Sequence, residues 1–265
     1  MKVHELHYSK TNTYLIEGDS GVLLFDAGWA GSFADFCKAM SGTGIAVKDI
    51  SYILISHFHP DHMGIAQEIA NEGATILVAD VQKEFIHNSD EIFARENKYR
   101  FIPIDDEKIR LFSVDKSGDI LKEMGITGEV FHTPGHSEDS ISLMLDDGSL
   151  FVGDLNPLYE LELHKGTQIE ESWNKLLARN PRKIYYGHAK TAEINTVTEK
   201  PFSDKDMYDL VSRIMKMTDK GCDVNRIAKK TGADNEFIQD VLRMYLTHQN
   251  VGVQGILDRI EIKNK

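Results

Sequence analysis

Cysteine is scarce in this 265-residue chain: Cys37 and Cys222 are its only two. Two thiols cannot build a disulfide framework or a thiolate zinc site, so a reducing compartment is the default. Long apolar runs are missing as well. None approaches the ~18 residues of a membrane-spanning helix, and residues 1–16 are too broken by polar side chains for a signal peptide. A soluble, cytoplasmic protein without a membrane partner is the expectation. Basic charge is also in short supply, with 30 Lys and Arg against 42 Asp and Glu and a formal charge of −12. So acidic a chain is a poor generic binder of phosphate backbones, unless its basic residues are segregated. Apolar residues are not lacking. At 41% they suffice for a core and exclude wholesale disorder.

The charge is unevenly spread. Residues 201–265 hold 11 Lys and Arg against 10 Asp and Glu, so nearly all the negative charge lies in residues 1–200. The structural pattern changes at the same point, which divides the chain into a first domain (1–200) and a C-terminal domain (201–265). In the first domain, short apolar runs at 13–17 and 22–26 flank Gly-Asp-Ser-Gly and read as a β-hairpin. A buried strand at 50–56 leads into a helical stretch at 60–71, with Pro60 at its start and Gly73 just past its end. Further strands are expected at 75–79, 108–112, 129–133, 141–145, 150–152 and 183–186. Helical stretches are expected at 82–99 and 170–179. Such interleaving implies α/β or α+β layering. Residues 201–265 read as helical, with a terminal strand at 255–262.

The chemistry concentrates in Ser56-His57-Phe58-His59-Pro60-Asp61-His62. His57 and His59 share one side of an extended chain, and Pro60 then turns Asp61 and His62 toward the same space. Nitrogen and oxygen donors without thiolates suit zinc, or iron or manganese. One or two such histidines would read as a solvated turn, but this density marks a metal or catalytic site. Three later strand ends each carry a donor beside glycine: Gly135-His136, Gly153-Asp154 and Gly187-His188. Glycine permits close backbone approach, and strand carboxyl ends converge on one sheet edge.

These residues, in this order, resemble the metallo-β-lactamase superfamily, and Asp26-Ala27-Gly28 is similar to its early Asp-x-Gly element. The resemblance covers about residues 10–190. It implies an α+β fold of four layers, an αββα sandwich, with a small helical and winged-helix-like C-terminal domain. It further implies a dinuclear centre. His57, His59 and His136 would bind one ion, Asp61, His62 and His188 the other, and Asp154 would bridge them. Asp26 would orient ligands, Thr133 or Ser137 would hydrogen-bond a ligand imidazole, and Asp61 would add proton handling to ligation. His59 stands where the superfamily's flavodiiron oxidoreductases carry Glu, which favours hydrolysis over redox chemistry. A zinc-thiolate β-lactamase would need a Cys ligand that is absent here, and the chain lacks the inserted domain of β-CASP nucleases. The expected activity is hydrolysis of a small ester, thioester or lactone, with phosphodiester hydrolysis as the alternative. Glyoxalase II-like enzymes bind glutathione through basic C-terminal residues, for which no matching cluster is present.

Other features carry less. Asn156, Tyr159 and His164 follow Asp154 and are expected along the mouth of the site as substrate contacts. Residues 82–99 would form a lid or simply pack on their own domain, through Phe85, Ile86 and Phe93. His4, His7, His87, His132 and His248 belong to no motif and read as surface or packing residues. Residues 224–247 resemble a helix-turn-helix, which raises a DNA-binding regulator as a function of another class. Its second helix carries Asp234, Glu236 and Asp240 against Arg243 alone, the wrong sign for phosphate and base readout. Packing or homodimerisation suits that module better.

Overall fold

The computed structural model describes residues 1–96, 100–194, 204–233 and 235–247. The chain divides into two units, Met1–Thr196 and Val197–Lys265. In the first, six strands run in sequence order across one sheet: β1 (Lys2–His7), β2 (Asn12–Glu17), β3 (Val22–Phe25), β4 (Ile50–Leu54), β5 (Thr75–Ala79) and β6 (Ile109–Phe112). β1 to β3 form an antiparallel meander, and β3 to β6 are parallel. A second sheet has the order β11-β10-β9-β8-β7, built from β7 (Gly128–His132), β8 (Ile141–Leu145), β9 (Ser149–Phe151), β10 (Lys183–Tyr185) and β11 (Ala192–Glu193).

Alternation along the strands creates the layers. Leu15, Leu24, Ile53, Ile76 and Val78 face outward and pack with Phe36 and Met40 of α1 (Phe33–Met40) and Ile69 of α3 (Ala66–Asn71). Their neighbours Tyr14, Ile16, Leu23, Phe25, Leu54 and Leu77 face inward, against Val130, Leu143, Leu145, Phe151 and Tyr185 of the second sheet. Phe131, Met144, Leu150 and Ile184 point out of that sheet's other face, onto Trp173 and Leu176 of α6 (Gln168–Leu177). The result is helix, sheet, sheet, helix: the αββα sandwich. Tyr14 ties the sheets together, its hydroxyl donating to Tyr186 O at 2.7 Å while its ring meets Phe151 edge-on at 5.3 Å.

Several expected elements differ in detail. β1 is an edge strand that its polar sequence conceals. The helical stretch from Pro60 is two pieces, α2 (Pro60–Met63) and α3, because the backbone of 27–28 intrudes. Ala27 N donates to His62 O at 2.7 Å and Gly64 N to Gly28 O at 2.8 Å. Only glycine fits there, since a Cβ on Gly64 would stand 2.1 Å from Ala30 N. Residues 82–99 are not one helix; turns precede α4 (Asp90–Glu96), and 97–99 lie outside the described residues. Ile86 and Phe93 are buried in the outer core, so this segment packs onto its own unit. A further helix, α5 (Ser117–Glu123), lines the inner layer through Ile120 and Leu121.

The described residues of the second unit form three helices, α7 (Asp204–Asp219), α8 (Val224–Thr231) and α9 (Asn235–Thr247). Val211, Ile214, Ile227, Ile238 and Val241 form its core. Asp223 caps α8 by accepting from Arg226 N at 2.8 Å, and Gly232, at φ +76°, terminates it. The expected strand at 255–262 and His248 lie outside the described residues. No helix among the described residues is long and apolar enough to cross a membrane.

Candidate metal centre

β1, β3, β4, β7, β9 and β10 all point their carboxyl ends at one edge of the sandwich, where their loops meet. β3 delivers Asp26, β4 delivers Ser56 and His57, and Pro60 starts α2 so that Asp61 and His62 turn inward. His136 follows β7, Asp154 follows β9 and His188 follows β10. Three donor groups result, each with ligand atoms within 4.8 Å of one another. They are His57, His59 and His136; His57, His62 and Asp154; and Asp61, His62 and His188. All seven residues expected from the sequence are thus brought to one place. Asp154 lies centrally, 3.3 Å from His62 Nε2, 3.4 Å from His188 Nε2 and 3.6 Å from His136 Nε2.

The outer hydrogen bonds decide which nitrogen of each ring faces inward. Asp26 is fully buried and accepts from Ser56 N at 2.7 Å, from Ser56 Oγ at 2.9 Å and from His62 Nδ1 at 2.8 Å. With its proton committed to Asp26, Ser56 Oγ accepts from His57 Nδ1 at 3.0 Å. His188 Nδ1 donates to Lys10 O at 3.0 Å. In all three rings Nδ1 is engaged and Nε2 is left to point at the centre, which is how ligand imidazoles are held. His59 Nδ1 and His136 Nε2 face each other at 3.1 Å.

The polar atoms inside this shell fit a cation. His57 Nε2 is buried with no hydrogen-bond partner, and His62 Nε2 and Asp154 Oδ1, buried beside it, have only each other, at 3.3 Å. Each such atom costs roughly 1–3 kcal/mol if nothing satisfies it. Burial drives the His57 ring well below its ordinary pKa and lowers that of His136. Burial also opposes charge on His62, but Asp26 and Asp154 override it and push the ring up to about 10. Hydrogen bonds to Asp154 and Asp61 raise His188 to about 10. Asp61 and Asp154 are held below the usual carboxylate range by His188 and His62, against the opposing effect of burial. Ionised carboxylates beside imidazoles form a donor set for divalent ions. Two glycines make room. A Cβ on Gly187 would stand 2.5 Å from Asp154 Oδ1, and one on Gly153, at φ +55°, would stand 2.5 Å from Ser56 Oγ.

The other residues expected at the site have partners of their own. Thr133 Oγ1 pairs with Ser142 Oγ at 2.8 Å and Ser137 Oγ with Ser140 Oγ at 2.7 Å, so both hydroxyls brace the His136 loop rather than an imidazole. Ser142 belongs to β8 and Ser140 directly precedes it. Asn156 and His164 meet Glu160, at 3.1 and 4.0 Å, and Tyr159 is 67% exposed on the turn that follows Asp154. The sequence reading missed Ser56, whose only signal is its place directly before His57. It also missed Asn12, which donates to Tyr186 O and Ala189 O, both at 3.0 Å, and so fixes the His188 loop. Thr11 was missed too; its hydroxyl reaches Asp61 Oδ2 at 3.4 Å.

The sequence pattern of the metallo-β-lactamase superfamily matches residues 9–188. The chain belongs to that superfamily. It is 28% identical over 194 residues to a β-lactamase-like protein 2 homolog of Drosophila melanogaster, which covers 69% of this chain and 60% of that protein. An atrochrysone carboxyl ACP thioesterase of Aspergillus fumigatus is 27% identical over 150 residues, 54% of this chain and 29% of that protein. The chain therefore spans less than two thirds of the length of these relatives. A protein crystallised in a di-iron-bound form shares the fold at TM-score 0.53 and 20% identity, over 73% of this chain and 94% of that one.

Proposed function

We propose that the chain is a dinuclear metal-dependent hydrolase of a small ester, thioester or lactone. The observation that carries this reading is the meeting of seven donor side chains around three buried atoms, the unpartnered His57 Nε2 and the facing pair His62 Nε2 and Asp154 Oδ1. His57, His59 and His136 would hold one divalent ion, Asp61, His62 and His188 the other, with Asp154 between them. When bound, such ions supply Lewis acidity toward a carbonyl oxygen and acidify water toward neutrality.

The chain's own residues do the rest. Asp26 and Ser56 lock the His57 and His62 rings, and Lys10 O locks His188, so the ligand geometry is set before substrate arrives. Asp61 stays ionised at neutral pH, so ligation and orientation suit it better than holding a proton. No serine or cysteine nucleophile is needed. Tyr159, exposed on the turn after Asp154, is the substrate contact this reading retains. Thioesters lead among the substrates because one relative is a thioesterase. The net charge of −12 disfavours a nucleic-acid backbone. Zinc suits the donor set, and the di-iron-bound neighbour makes iron the principal competitor.

A panel of thioesters, lactones and bis(p-nitrophenyl) phosphate, assayed on metal-loaded protein, tests the activity. Turnover of an acyl substrate that disappears in His57→Ala is expected. Turnover of the phosphodiester alone would replace the acyl reading.

A further inference from the structure

Phe58 separates two of the histidines that the metal-centre reading assigns to one ion, so the orientation of its two peptide groups sets where both rings point. Neither group is held by regular secondary structure. Phe58 N donates to Asp139 Oδ2 at 2.7 Å, and Phe58 O accepts from Ser89 Oγ at 2.6 Å. Asp139 is 3% exposed and Ser89 1% exposed, so both bonds are shielded from water. Asp139 stands three residues after His136, in the loop that carries the third histidine of the same set. Its backbone is tied to the same place: Asp139 O accepts from Gln82 Nε2 at 3.2 Å, and Gln82 Nε2 also donates to Ile55 O at 2.9 Å. Ile141 N then donates to Ser56 O at 2.8 Å.

We propose that Asp139 is a positioning residue that couples the His57–His59 loop to the His136 loop and so preorganises the three-histidine set. This rests on the metal-centre reading above. A side-chain carboxylate suits the task. It accepts a charge-assisted hydrogen bond from a peptide N–H that would otherwise be buried and unpaired. Asp61 and His188 receive no such bond from Asp139. Asp61 is met by Thr11, and His188 is held by Lys10 O. The coupling is therefore specific to one set, and its loss unbalances the pair of sites rather than emptying both. Ser89, from the segment before α4, clamps the next peptide group through Phe58 O and shares the role to a lesser degree.

The test is zinc binding to full-length metal-free protein, read by chelator competition and by equivalents retained after dialysis. Asp139→Ala is expected to weaken one of two zinc equivalents by about 10- to 100-fold, the usual cost of losing an outer hydrogen bond. Asp139→Asn keeps an acceptor for Phe58 N and is expected to stay near wild type. Ser89→Ala should weaken the same equivalent to a smaller extent, which keeps the proposal testable if Asp139→Ala does not fold. In a His57→Ala background, Asp139→Ala should cost nothing further at the remaining equivalent. Equal weakening of both equivalents, an Asn variant as weak as Ala, or Asp139→Ala indistinguishable from wild type would each overturn the proposal. Wild-type protein that retains fewer than two equivalents would instead overturn the metal-centre reading, before any variant is compared.

Discussion

The two sets of donors at the sandwich edge differ in how their side chains are kept. His57, His59 and His136 face one another without a carboxylate of their own. Burial lowers the pKa of His57 and His136, and His57 Nε2 has no partner. Asp61, His62 and His188 form a charged knot, in which His188 Nε2 meets Asp61 Oδ2 at 2.9 Å and two rings titrate at about 10. Burial works against charge on His57 and His136, whereas neighbouring carboxylates favour it on His62 and His188. Both are fixed from outside, but by different parts of the chain. The backbone of the first is braced by Asp139, Gln82 and Ser89, and the rings of the second by Asp26 and Lys10 O.

Removing Asp26 should break this contrast most severely. Asp26→Ala deprives His62 Nδ1, Ser56 N and Ser56 Oγ of one shared acceptor inside the protein. We expect about 10- to 100-fold weaker metal binding, felt most at the set containing His62. A loss of roughly 1–3 kcal/mol in stability from the orphaned groups should accompany it. Chelator competition and denaturant unfolding measure the two effects. Asp26 also occupies a left-handed conformation at φ +62°, so the substitution leaves a strained backbone with its reason gone.

The pH dependence sharpens the same contrast with a smaller effect. Cations bind the deprotonated ring, so metal uptake near pH 7 should expel protons from His62 and His188. Affinity at that set should rise by up to about tenfold per pH unit for each ring until pH approaches their pKa of about 10. Stability of the metal-free protein should move the other way. A ring whose pKa is raised from 6.5 on folding stabilises fully below 6.5, and that contribution fades as pH rises through about 10. His57, with its pKa lowered, has the opposite sign: it destabilises as pH falls below 6.5, because the unfolded ring takes the proton. Metal-free protein should thus lose stability at both ends of the pH range. Thermal melts across pH 5 to 10, beside proton release measured in weak buffer, check both signs.

Much of the fold and of the cluster of donor side chains was legible in the sequence, for identifiable physical reasons. Apolar runs such as 50–54 and 141–145 announce strands buried on both faces. Histidine, aspartate and glycine at strand ends have few uses other than chemistry. β1 stayed hidden because an edge strand with one solvated face carries little apolar signal, and its His4 pairs with Glu17 of β2 in a part-buried contact. Residues 82–99 misled because Gln82, polar and apparently exposed, is fully buried and spends its amide on loop carbonyls. The braces were the least legible part of the site. Ser56, Ser89 and Asp139 look like loop residues, and only the folded chain shows that their partners are 30 or more residues away.

We propose that the two donor sets hold one ion each. The most direct test is elemental analysis of full-length protein, loaded with zinc, iron or manganese and freed of excess by gel filtration, with His57→Ala and His188→Ala in parallel. Two equivalents are expected in the wild type and close to one in each variant. A single equivalent in the wild type, lost entirely on either substitution, would mean one shared site and would contradict this proposal.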